Sequence, residues 1–105
     1  MKQKQSKAER LSYFKMRYPD DAILEYVVWR LPHPTRERPH GYKYRYYYGK
    51  SGERLVGYDN EAGKGDHKHI EDREYPYVFV SLEQLTRDFL ADVQAHRAKE
   101  VSDDE

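Results

Sequence analysis

Between residues 42 and 48 the chain reads Tyr42-Lys43-Tyr44-Arg45-Tyr46-Tyr47-Tyr48, and this near-regular alternation constrains the fold more than any other stretch. Successive side chains of a β-strand point to opposite faces. Tyr42, Tyr44, Tyr46 and Tyr48 therefore share one face, with Lys43, Arg45 and Tyr47 on the other, which predicts a strand with one buried side. Tyrosine has to do much of the burying, because 11 of the 105 residues are Tyr while hydrophobic residues of all kinds reach only 37% and charged residues 36%. Each ring supplies apolar area and each hydroxyl needs a partner. A chain of this length builds one small core, and hence one domain.

The flanking segments supply the rest of the fold. Gly49-Lys50-Ser51-Gly52 predicts a hairpin turn and Glu53 to Tyr58 its return strand. Ala22 to Leu31, rich in β-branched and aromatic residues, predicts an interior strand that is apolar on both faces. Pro32, Pro34 and Pro39 make the following linker an exposed connection. Leu11 to Tyr18 predicts a strand running into a turn at Pro19-Asp20-Asp21, with a short helix over residues 8–14 as the alternative. Tyr75 to Val80 predicts a short edge strand, because Pro76 cannot donate to a ladder. Ser81-Leu82-Glu83-Gln84 has the pattern of a capping box. Behind it Leu82, Leu85, Phe89, Leu90 and Val93 form the stripe of a helix that lies on a sheet and fades near Lys99. The expectation is an α+β domain, an antiparallel β-sheet of about 4–5 strands with one C-terminal α-helix packed on one face. Residues 11–99 form that domain, between a basic disordered extension (1–10) and an acidic disordered tail (100–105).

Formal net charge is zero, yet the charges are sorted along the chain. Arg30 to Arg54 carries seven basic residues against Glu37 and Glu53, whereas Asp59 to Glu74 is mainly acidic. The absence of cysteine removes disulfides, thiol catalysis and cysteine-based zinc sites. No apolar run follows the charged residues at the start, and no stretch suffices to span a bilayer, so the expected setting is cytoplasmic, with no membrane partner.

The densest collection of reactive groups is Gly57 to Ile70, where Asp59, Lys64, Asp66, His67 and His69 gather in a glycine-broken loop. Imidazoles two residues apart beside carboxylates are what acid–base chemistry or metal ligation uses. If a strand begins at His67, both histidines point to one face. The plain alternative is a turn whose histidines are surface residues bonded to nearby carboxylates.

Several stretches together resemble the TumE-type small proteins of prokaryotic toxin–antitoxin loci. They are Val27-Val28-Trp29-Arg30-Leu31-Pro32, the run 42–45, Gly52 to Glu61 with its Tyr58-Asp59-Asn60, Gly63-Lys64-Gly65-Asp66-His67-Lys68-His69, and Val80 to Leu85. The resemblance runs from about Ala22 to about Val93, leaving the two charged ends outside it. It implies a toxin-like protein that a neighbouring, DNA-binding antitoxin neutralises by direct contact. It carries no catalytic assignment.

Were RNA the target, attack of a 2′-hydroxyl on its phosphate would need a base, an acid and cations. His67 and His69 are the acid–base candidates, Lys64 a phosphate contact, and Asp66 or Asp59 the group that orients an imidazole. Lys43, Arg45, Tyr47 and Arg54 would form a cationic, aromatic surface for RNA. The plain alternative for that surface is a solvated face whose charges block edge pairing. No cofactor is required by this scheme. The competing reading is a divalent metal held by His67 and His69 with Asp66 or Asp59, with His33 and His40 as weak further ligands. Two more readings remain open: a non-enzymatic module that binds nucleic acid or protein through the basic face, and a toxin relative that has lost toxicity.

Overall fold

The computed structural model describes residues 7–61 and 63–103. Residues 1–6 of the basic extension and 104–105 of the acidic tail thus lie outside the described residues. Six strands are followed by one helix: β1 (Glu9–Arg17), β2 (Ile23–Arg30), β3 (Tyr42–Lys50), β4 (Glu53–Asp59), β5 (His67–Ile70), β6 (Arg73–Pro76) and α1 (Leu82–Asp103). Each strand pairs antiparallel with the next, so the order across the sheet is the order along the chain.

The α+β class and the C-terminal helix agree with the sequence, but the sheet has six strands rather than 4–5. The difference lies at its far edge. His67–Ile70 and Arg73–Pro76 are four-residue strands of mostly charged and polar residues, joined by a turn in which Glu71 takes a positive φ of 57°. Such segments have weak strand propensity of their own, and β5 is held by pairing with β4. The strand expected over Tyr75 to Val80 accordingly ends at Pro76, whose missing N–H closes the ladder. Beyond it Val78 and Val80 are 80% and 70% exposed.

At the other hairpin Ser51 and Gly52 both have positive φ, 55° and 79°, the two-residue turn whose twist matches that of the flanking strands. The helix starts as expected, with the Gln84 N–H donating to Ser81 Oγ at 3.0 Å, and runs past Lys99 to Asp103. Its buried stripe is Leu82, Leu85, Phe89, Val93 and His96 at spacings of three and four residues. Leu90, expected in the stripe, falls off it and is 43% exposed.

The helix covers one face of the sheet. In register, Leu24 faces Tyr48, Tyr26 faces Tyr46 and Val28 faces Tyr44 across β2 and β3, while Tyr58 and Val56 continue these rows on β4. Leu85, Phe89 and Val93 of α1 close over them, every one of these core side chains except partly buried Tyr26 being at most 2% exposed. The hydroxyls of the four buried tyrosines all have partners: Tyr44 donates to Asp66, Tyr58 to Asp92, Tyr46 bonds Thr86, and Tyr48 accepts from Arg97. A buried hydrogen bond to a charged group contributes about 1.5–3 kcal/mol. Those bonds make so tyrosine-rich a core tenable. Among the described residues no helix is long and apolar enough to cross a membrane.

Candidate functional site on the outer sheet face

The opposite, outer face collects the side chains of the other parity in two rows that cross the strands. Strand register sets Val27, Arg45, Asp59 and His67 side by side on β2 to β5, and beside them Glu25, Tyr47, Gly57, His69 and Glu74 on β2 to β6. His67 and His69 share this face because they are two residues apart on β5. The cationic strand and the histidine pair, far apart in sequence, therefore lie on one surface.

At the centre of the cluster His67 is held from both sides. Its Nδ1 lies 2.9 Å from the Gly65 carbonyl oxygen, which can only accept, so the ring N–H sits at Nδ1. Its Nε2 lies 3.0 Å from Asp59 Oδ1 and 3.7 Å from Glu74 Oε2. The His69 ring stands nearly perpendicular to it, at 82° with centroids 5.0 Å apart. The His67 side chain is 5% exposed and that of Asp59 17%. Burial, followed by the charge of Arg54, holds His69 below the usual histidine value, favouring its neutral form.

Glycine makes room for this arrangement at one position. A Cβ on Gly57 would lie 2.7 Å from Arg54 Cδ, because the Arg54 stem lies over that residue. The irregularity between Tyr48 and Gly49 on β3 sets this part of the β4 register. Arg45 and Arg54 are exposed, and among the described residues neither enters an ion pair. Lys43 lies over the Trp29 ring at 5.3 Å, and Lys64 approaches Glu74 at 3.9 Å.

The loop itself divides by role. Asn60, 1% exposed, accepts from the Tyr44 N–H at 3.1 Å and donates to the Tyr42 carbonyl at 2.9 Å, so its amide extends the ladder to β3 after the strand has ended. Gly63 and Gly65 have positive φ, and the Gly63 N–H donates to Glu37. Asp66 leaves the cluster. It accepts from the Tyr44 hydroxyl at 2.7 Å and lies 3.1 Å from His40 Nε2, on the side away from His67 Nε2. Asp59, rather than Asp66, is therefore the carboxylate that meets the histidine pair, and the metal-ligand set with Asp66 is not brought together. His40 packs on Phe79 with centroids 4.0 Å apart and serves the linker's anchorage, while His33 is exposed in the linker.

Glu74 was not foreseen. It reaches the cluster only because the Glu71-Asp72 turn sets it opposite His69, and the length of that turn was the one signal for it. His96 was also missed. It is buried under the helix with its Nε2 3.1 Å from Glu71 and ties α1 to the same turn.

Fold and site together define an α+β domain with one sheet face sealed by a helix and the other left open, bearing a His–Asp cluster among exposed cations. The chain belongs to the TumE family, since the family model described as Toxin TumE matches residues 2–97. The match takes in β1 and the residues before it, a wider span than the resemblance from Ala22 to Val93. Membership implies a toxin-like role and, in general, an antitoxin as partner. Neither the curated proteins nor the solved structures yield a match.

Proposed function

We propose that this toxin-like protein takes RNA on the outer face of its sheet and cleaves the backbone there, in the cytoplasm, until a DNA-binding antitoxin occludes it. The observation that carries this reading is the placement of Arg45, Arg54, Lys43 and Tyr47 on the same face as Asp59, His67 and His69. Exposed guanidinium groups suit phosphate oxygens and Tyr47 offers a ring for base stacking. Attack of the 2′-hydroxyl oxygen on the adjacent phosphorus would break the bond to the 5′-oxygen, leaving a cyclic phosphate and, once the departing oxygen takes a proton from solvent, a 5′-hydroxyl. The cations beside the cluster would stabilise the charge that develops in that transition state.

The roles of the two histidines differ. His67 has both ring nitrogens engaged, so it does not exchange protons with a substrate while those contacts hold. His69 keeps a lone pair free, for the 2′-hydroxyl proton or for a cation. The test is a binding and cleavage assay on labelled RNA with purified protein. Lys43→Glu with Arg45→Glu is expected to abolish binding, whereas His67→Ala with His69→Ala should bind RNA but fail to cut it. Cleavage by the double histidine variant at the wild-type rate would end the reading. Binding without cleavage by the wild-type protein would instead support a non-enzymatic module.

A further inference from the structure

We propose that Asp59, His67 and His69 bind one divalent first-row transition-metal ion, of which Zn²⁺ and Co²⁺ are the probes of choice. One candidate ligand atom from each residue lies within 4.8 Å of the other two. They are mounted on β4 and β5 in fixed register, so the ladder rather than a loop sets their spacing. Nitrogen and oxygen atoms bound to one ion at about 2.0–2.2 Å are themselves about 3.0 Å apart at a right angle and about 3.4 Å at the tetrahedral angle. The separation of Asp59 Oδ1 and His67 Nε2 is 3.0 Å, the spacing of two ligands at a right angle on one ion.

The surroundings of His67 favour a cation further. Histidines that ligate metals commonly donate their other ring N–H to a backbone carbonyl, which fixes the tautomer and aims the free nitrogen. The Gly65 carbonyl does this here at 2.9 Å. The nitrogen so aimed meets the Asp59 carboxylate, an arrangement that sets lone pair against lone pair unless a proton or a metal ion lies between them. The perpendicular ring of His69 brings a third candidate donor within 4.8 Å of these two. Two imidazoles and one carboxylate suit zinc, cobalt or iron better than magnesium or calcium, which prefer all-oxygen shells. Glu74 Oε2, 3.7 Å from His67 Nε2, stands next to the three as a further oxygen. With three protein ligands the ion would keep open positions, and Arg45 beside Asp59 and Arg54 beside His69 are the cations next to the site. That a phosphate oxygen fills one of them rests on the RNA reading above. The binding site itself does not.

The experiment is calorimetric titration of the full-length protein with Zn²⁺, with Co²⁺ spectra to report the ligand set. One equivalent per chain is expected, with nitrogen–oxygen coordination bands for Co²⁺ and a higher melting temperature when the ion is bound. His69→Ala and Asp59→Asn should each lower the affinity at least tenfold, while His96→Gln, on the helix side, should bind as the wild type does. Circular dichroism on each variant separates ligand loss from misfolding. Absence of stoichiometric binding to the wild type, or affinity unchanged in both His69→Ala and Asp59→Asn, overturns the site. Metal binding without RNA cleavage would sink the RNA reading and leave the site standing, whereas cleavage by protein that binds no metal would do the reverse.

Discussion

Raising the pH should unfold this domain at a point set largely by Tyr44 and Tyr58. Both are buried, 2% and 1% exposed, and each donates its hydroxyl to a carboxylate, Asp66 and Asp92 respectively. Burial, and then the bonded carboxylate, push both hydroxyls well above the ordinary tyrosine value of 10.0. The folded chain thus keeps two protons that the unfolded chain releases above about pH 10. Stability from these groups is whole below that pH and falls as pH rises, at about 1.4 kcal/mol per proton per pH unit. Two protons give a slope of about 2.7 kcal/mol per pH unit, or about 5 kcal/mol between about pH 10 and 12. That equals the low end of the ~5–15 kcal/mol that holds a typical domain together, so unfolding is expected near pH 12 or below. Tyr46, Tyr48 and Tyr77 are raised as well, which makes the slope a lower bound. The assay is urea unfolding by circular dichroism across alkaline pH, with tyrosinate absorbance followed in parallel. Tyr58→Phe keeps Asp92 paired to Lys68 at 3.1 Å and should lower the slope by about 1.4 kcal/mol per pH unit. Were all 11 tyrosines to ionise together near pH 10 with the fold intact, or the slope to be the same in Tyr58→Phe, the burial argument would be refuted.

Two other substitutions separate framework from face. Gly57→Ala adds a Cβ that displaces the Arg54 side chain rather than backbone, so melting should change by about 1 kcal/mol or less while RNA affinity falls by about three- to tenfold, as for loss of one charged contact. Asn60→Ala leaves the Tyr44 N–H and the Tyr42 carbonyl without their partner, and should cost about 2–4 kcal/mol in urea unfolding.

What could be read in advance followed local rules. The alternation from Tyr42 to Tyr48 told which tyrosines face the core because a strand's period is two, Tyr44, Tyr46 and Tyr48 being buried and Tyr42 partly so, and Ser81 located the helix start because its hydroxyl caps a free N–H. The parity of His67 and His69 followed for the same reason. The identity of their carboxylate partner did not, since Asp66 is adjacent in sequence yet faces away, while Asp59 arrives by pairing across β4 and β5. Register depends on the whole course of residues 60–66, including the Asn60 bridge and two left-handed glycines. Glu74 and the β5–β6 hairpin were hidden likewise, because charged four-residue strands show themselves only once a neighbour pairs with them. In the helix, Leu90 looked like core but is exposed, while the three-four spacing carries the buried stripe on to His96.

The next-neighbour order of the sheet also bears on how the chain is made. Each strand finds its partner one turn or loop away, so hairpins can form as they leave the ribosome, with little loop entropy to overcome. The cover for the tyrosine face comes last, from residues 82–103. Until Leu85, Phe89 and Val93 have emerged, Tyr44, Tyr46 and Tyr58 stay wet and Tyr58 lacks its Asp92 partner. Premature termination before the helix therefore yields a sheet with an uncovered apolar face, prone to aggregate and be degraded, so translation to the end of α1 acts as a checkpoint on whether a folded molecule forms at all.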